Sequence, residues 1–177
     1  MAESQRQSRK GTHLDLLDRL LGHDEWTTQQ VLERAREVDP AALHTPFDIG
    51  HETFYETAVH MIANVRTWTD LMNGVATKAN RPSWEGLSLD DLIARHTEAM
   101  ADFNALSGRI RDEGRFDGLW TDTFDEPPTK KTYGGAIGHV LTHDMFHRGE
   151  LLHILARLGV PDLLEGDLLS WEATRSA

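Results

Sequence analysis

The stretch Gly138-His139-Val140-Leu141-Thr142-His143-Asp144-Met145-Phe146-His147-Arg148-Gly149 decides the architecture, because it carries two helical signals at once. Its three histidines recur at steps of four. Around them Ala136, Ile137, Val140, Leu141, Leu151, Leu152, Ile154, Leu155 and Leu158 repeat at the spacing of one helix face, and Gly159 with Pro161 supplies a stop. The pattern predicts a helix over 132–158, capped by Thr132.

On such a helix, side chains four apart sit about 6 Å from each other on successive turns, so two imidazoles can reach one metal ion. The apolar stripe centres near Val140, Leu151 and Leu158. His147 falls inside it, His143 about 40° further round, and His139 about another 40° out, beside Glu150 and Arg157. His143 and His147 are therefore the inward pair, with His139 at the rim. Two half-buried, hydrogen-bonded histidines without a metal satisfy the same spacing, which leaves both readings open.

Outward from this helix, the chain predicts three more. Leu14, Leu17, Leu20, Leu21, Val31, Leu32 and Ala35 mark one over 14–38, weakened at Gly22 and ended by Asp39-Pro40. Phe54, Ala58, Met61, Val65, Trp68 and Met72 mark one over 51–73, stopped at Asn73-Gly74. Ser88, with Asp91 three residues on, opens one over 88–112 that carries Leu92, Ala99, Phe103, Leu106 and Ile110. Glu113 to Lys131 reads as a folded-over loop pinned by Trp120 and Phe124, with room for a short hairpin around Leu119 to Phe124. The fold class is all-α, a four-helix bundle, with residues 1–12 a disordered tail and 13–177 a single domain. The apolar tail with Leu163, Leu164, Leu168, Leu169 and Trp171 packs on its own bundle or on a partner, and a homodimer is expected.

Composition narrows the function. With 18 Lys+Arg against 29 Asp+Glu, the net charge of -11 repels phosphate backbones and argues against nucleic acid. There is no membrane-length apolar run and no signal-peptide pattern at the start, so a cytoplasmic protein is expected. The absence of Cys excludes disulfides, thiolate ligands and a cysteine nucleophile supplied by this chain, so a metal site must use His, Asp or Glu. Ten histidines favour a His-built site.

A His pair needs a third ligand. His51, His60, His96, His13, His23, His44, Glu52 and Glu56 are all candidates, and spacing does not choose among them. His60 shares its side of the second helix with Thr53, Thr57, Asn64 and Thr67. That face is either exposed or the wall of a wet, ligand-accepting cavity.

Thr142-His143-Asp144-Met145-Phe146-His147-Arg148-Gly149-Glu150 resembles the closing-helix motif of the DinB-like superfamily, the DNA-damage-inducible, YfiT-type helical bundles. That motif runs H-x-x-x-H-R-G-Q, and here Glu150 stands at the Gln position. The family's second element, a His followed eight residues later by Trp, is matched by His60 and Trp68. The resemblance spans about Leu14 to Gly159. It implies a metal held by His60, His143 and His147 and a dimeric assembly. Asp144 and Arg148 are candidate supporting residues, Asp144 against a ligand imidazole and Arg148 against a substrate carboxylate or a neighbouring acid.

Three neutral imidazoles leave a divalent ion its full charge and open positions. Zinc fits, and nickel and iron are also imidazole metals. Enzymes of this superfamily are thiol-dependent S-transferases or isomerases, so the resemblance implies a low-molecular-weight thiol activated as its thiolate. Metal-dependent hydrolysis is the alternative chemistry at the same site. A non-catalytic, stress-linked metal-binding or interaction protein is the alternative from another class.

Overall fold

Each long helix begins where the sequence supplies a side-chain cap. Asp15 and Asp18 form a reciprocal capping box at the start of α1 (Leu16–Arg34). Thr53 accepts from the Glu56 amide at α2 (Phe54–Met72). Ser88 and Asp91 repeat the box at α3 (Leu89–Asp112), and Thr132 accepts from Gly135 N–H at α4 (Tyr133–Arg157). Each such cap contributes about 1 kcal/mol. A short α5 (Leu168–Arg175) follows Asp167, whose carboxylate accepts from the Leu169 and Ser170 amides. These elements come from a computed structural model that describes residues 14–75, 84 and 86–175. The expected tail over 1–12, His13 and most of the linker after Val75 lie outside the described residues.

The described chain is mostly helical, with one small antiparallel sheet. α2 packs on both α3 and α4, and α1 packs on the same two helices. The core between them takes in the stripes read in the sequence and adds Ile62 and Met100. Phe54, Met61 and Ile62 of α2 meet Leu92, Met100 and Phe103 of α3 and Leu151, Ile154 and Leu155 of α4, all fully buried. No helix among the described residues is long and apolar enough to cross a membrane.

Three boundaries differ from the expectation, each for a local reason. The first helix ends at Arg34 and tightens into a 3-10 turn over Ala35–Glu37; Val38 is extended, and Pro40 opens a separate 3-10 turn over Pro40–His44 capped by Asp39. The second begins at Phe54 rather than at His51. Gly50 and Glu52 take positive φ, 53° and 69°, which no α-helix accommodates, so His51 sits in a turn ahead of the cap. The hairpin is wider than expected. Leu119–Asp122 pairs with Thr129–Thr132, Trp120 facing Lys131 and Asp122 facing Thr129. Trp120 and Asp122 point inward while Leu119 and Thr121 point out, the period of a strand.

The tail returns to its own chain. Trp171 of α5 is buried over Gly22 of α1, where a Cβ would stand 2.5 Å from the indole. Gly22, a weak point for a helix, is the space the indole needs.

Candidate metal centre

Four imidazoles converge between α2, α4 and the turn before α2. His143 Nε2 lies 3.1 Å from His60 Nε2 and 3.1 Å from His147 Nε2. His51 stacks on His60, ring centroids 3.9 Å apart, and a ligand nitrogen from each of His51, His60 and His147 lies within 4.8 Å of the others. Two triads thus share His60 and His147, one completed by His143 and one by His51. The cluster can hold a metal ion. About 2.1 Å metal–nitrogen bonds at tetrahedral or octahedral angles separate neighbouring ligand atoms by about 3 Å, close to the two His143 distances.

The outer nitrogens are anchored differently. His147 Nδ1–H donates to Glu150 Oε2 at 2.7 Å, which leaves the Nε2 lone pair aimed into the cluster. The side chain at the family's Gln position therefore has a defined role here, fixing the tautomer of His147. His143 Nδ1 faces Asn64 Nδ2 at 3.1 Å, and Trp68 Nε1–H donates to Asn64 Oδ1 at 3.0 Å. Indole nitrogen only donates, so it fixes the amide with its NH2 toward His143. In this arrangement His143 Nδ1 accepts and Nε2 carries the proton. Burial pushes His60 and His143 down to about 4, and the neighbouring imidazoles add to this, so both rings are neutral at neutral pH. Neutral imidazole is the ligating form.

A cavity of about 420 Å³ adjoins the cluster, walled by α2, α4 and the hairpin. His60, Asn64 and Thr67 line it, so the polar face of α2 is a cavity wall and not free surface. Across it, Lys131 of the hairpin pairs with Asp122 and Asp125 and lies 5.3 Å from the Trp68 ring centroid. Trp68 also packs edge-on against Trp120, which ties the hairpin to α2. His139 is exposed at the rim, against Trp68, as its angle on the helix indicates.

The other histidine candidates are elsewhere or outside the described residues. His96 is buried beside Arg148, His23 bonds the Gly166 carbonyl at 2.8 Å, and His44 packs on Tyr55. Glu52 and Glu56 are exposed. The two candidate supporting residues each take a contact that the sequence offered, Arg148 a neighbouring acid and Asp144 a ligand imidazole. Arg148 is not part of the wall of the cavity beside the cluster. It is 4% exposed and held by Asp24 and Thr28 of α1. Asp144, 2% exposed, is 3.5 Å from His143 Nδ1 and shares a hydrogen bond with Asp24. Burial and the Asp24 charge push Asp144 well above the carboxylate range.

With this geometry in place, comparison with known families is decisive. The family model of the DinB superfamily matches residues 23–151. The chain belongs to the DinB superfamily. The match runs from His23 in α1 to Leu151, one residue past Glu150, so it contains every residue of the histidine cluster. No curated protein matches the sequence.

Proposed function

We propose that this DinB-superfamily chain is a four-helix-bundle, metal-dependent enzyme of the thiol-dependent S-transferase kind, with His60, His143 and His147 as its ligands. The observation that carries the reading is the convergence of three imidazole nitrogens, 3.1 Å from His143 to each of the other two, beside a cavity of about 420 Å³. His147 is already in the ligating tautomer. His143 reaches it when its proton sits on Nδ1, with the turned Asn64 amide or Asp144 as acceptor. A divalent ion held there supplies the positive charge that lowers the pKa of a thiol.

The chain's own residues do the rest. It has no Cys, so the sulfur nucleophile comes from the cosubstrate. The cavity beside His60 and His143 gives that thiol and an electrophile a shared volume walled by Trp68 and Leu71. A new S–C bond forms there as the leaving group departs with its electron pair. Lys131 and Asp125 at the hairpin side orient polar parts of the substrate. A homodimer belongs to the same reading, supported by Met145 and Phe146, which stand exposed on α4.

Elemental analysis of the purified protein, followed by titration of low-molecular-weight thiols watched at a bound cobalt(II) ion, tests the site. The expected result is one ion per chain and a sulfur-to-metal absorption band. An ion that binds without responding to any thiol would turn the reading toward hydrolysis or storage. Light scattering at twice 20.0 kDa is expected for the dimer, and a mass of 20.0 kDa removes it.

A further inference from the structure

His51 is the imidazole that neither the H-x-x-x-H spacing nor the His–Trp element accounts for. It sits outside both helices, exposed, in the turn ahead of α2, yet its ring lies 3.9 Å from His60 and 5.5 Å from His147. We propose that His51 is a fourth, exchangeable ligand: it occupies a coordination position of the ion at rest and yields that position to an entering thiol, whose proton leaves to bulk water. This rests on the reading of His60, His143 and His147 as ligands.

The backbone is built to bring His51 there. Phe47 N–H bonds the Glu52 carbonyl at 2.6 Å, Glu52 N–H bonds Ile49 O at 2.9 Å, and Thr53 N–H bonds His51 O at 2.8 Å. The turn closes only because Gly50 and Glu52 take positive φ, a conformation that favours glycine and that Glu52 adopts against its own sterics. Such a residue persists where the surroundings over-determine it, and it is a feature of functional loops. A Cβ at Gly50 would collide with the Glu150 carboxylate, the same group that orients His147. One side chain therefore seats the His51 turn and aims a ligand.

The four imidazoles are not equally held. His147 is tied to Glu150 and His143 to Asn64. The His51 ring packs on imidazoles and makes no hydrogen bond with another described residue. It is held by its turn alone, which makes it the ligand that can leave. Four nitrogens close a tetrahedral ion, and three leave the open position that catalytic sites keep. With His51 bound the site excludes water. With His51 displaced it admits the thiol.

The test uses the chain loaded with cobalt(II), followed by visible absorption and by competition with a chelator. His51→Ala is expected to keep one ion per chain, to bind it at least about tenfold more weakly, no less than losing a mere supporting partner costs, and to change the ligand-field bands. Millimolar imidazole should restore the wild-type bands. Gly50→Ala, which retains every histidine, should shift the bands the same way by pushing the turn off Glu150. With 2-mercaptoethanol added, wild type and His51→Ala should give one common spectrum. Superimposable spectra and equal affinity for wild type and His51→Ala overturn the proposal and leave the three-ligand reading standing. Complete loss of binding in His51→Ala without imidazole rescue, its circular dichroism unchanged, also overturns it, since His51 would then be a permanent ligand. No binding in wild type removes both readings.

Discussion

One step along α4 separates two chemistries. His143 and His147 face α2, His143 at the wall of the cavity, while Asp144 and Arg148, the next residue in each case, face α1 and are sealed from water. On the first side burial and the neighbouring imidazoles keep His60 and His143 neutral. On the second lies an ionic cluster in which Arg148 holds Asp24 Oδ1 and Thr28, and Asp144 bonds Asp24. Burial raises both carboxyls, Asp144 further, and Arg148 pulls Asp24 back. A rotation of about 100° per residue thus sends alternate motif positions to chemistry and to scaffold.

The largest effect that tests this division is on stability. Arg148→Met leaves the Asp24–Asp144 pair buried with no counter-charge, a class of change that costs about 3–5 kcal/mol. Urea denaturation measures it. Asp24→Asn added to Arg148→Met should recover much of the loss, because a neutral replacement of a buried ion pair is often tolerated. Metal content of the folded fraction should stay near wild type. An Arg148→Met protein of normal stability that has lost ion or substrate would erase the distinction between the two sides.

His143→Ala and His147→Ala should do the reverse. The ion is expected to bind more than about 100-fold more weakly, beyond what loss of a supporting partner costs. Stability without added ion should fall by no more than about 1 kcal/mol, since the helices share a core of their own. Chelator competition and thermal melts on the same samples read both quantities.

Much of this was legible in the sequence, and what was hidden follows a pattern. The four long helices and their caps are local properties, and Thr132, Ser88 and the apolar stripes announce them. Direction around the helix was enough to turn His143 and His147 inward. The strand over Thr129–Thr132 was hidden because Thr-Lys-Lys-Thr is polar on both faces and is made a strand by its pairing with Leu119–Asp122. Arg148 reads as the partner of a substrate carboxylate or of a neighbouring acid, and only the fold shows that the acid is Asp24, with Thr28 four residues on completing the socket. Glu150 was legible only as a departure from Gln, its meaning fixed by the 2.7 Å contact with His147. The role of the turn at His51 depends on two positive φ angles, at Gly50 and Glu52, which residue spacing does not show.

A smaller effect comes from His96, which lies on the scaffold side. It is 2% exposed, neither ring nitrogen has a hydrogen-bond partner among the described residues, and burial with some help from the Arg148 charge pushes it down to about 4. Between the ordinary value of 6.5 and about 4, the unfolded chain binds a proton there that the folded chain does not. Stability therefore rises with pH through that window and is lost as pH falls, by up to about 1.4 kcal/mol per pH unit for one group. His96→Met should flatten this part of the profile at little cost near pH 7, because it removes an unpaired polar ring. An unchanged acid slope would place the titrating groups on the cluster side instead.

The smallest effect is the most diagnostic of the imidazole side. Trp68 fixes the Asn64 amide so that its NH2 meets His143 Nδ1, which holds the His143 proton on Nε2. Ligation needs that proton on Nδ1, so the amide must turn over and abandon Trp68, or Asp144 must accept instead. A carboxylate at position 64 accepts from Trp68 Nε1–H and from His143 Nδ1–H together, with no such conflict. Asn64→Asp should therefore tighten the ion by up to about tenfold, the lower end of what such supporting partners contribute, and Trp68 fluorescence should change less on loading than in the wild type. If Asn64→Asp leaves affinity unchanged or weakens it, His143 serves as a hydrogen-bond donor to its neighbours, and the triad completed by His51 holds the ion.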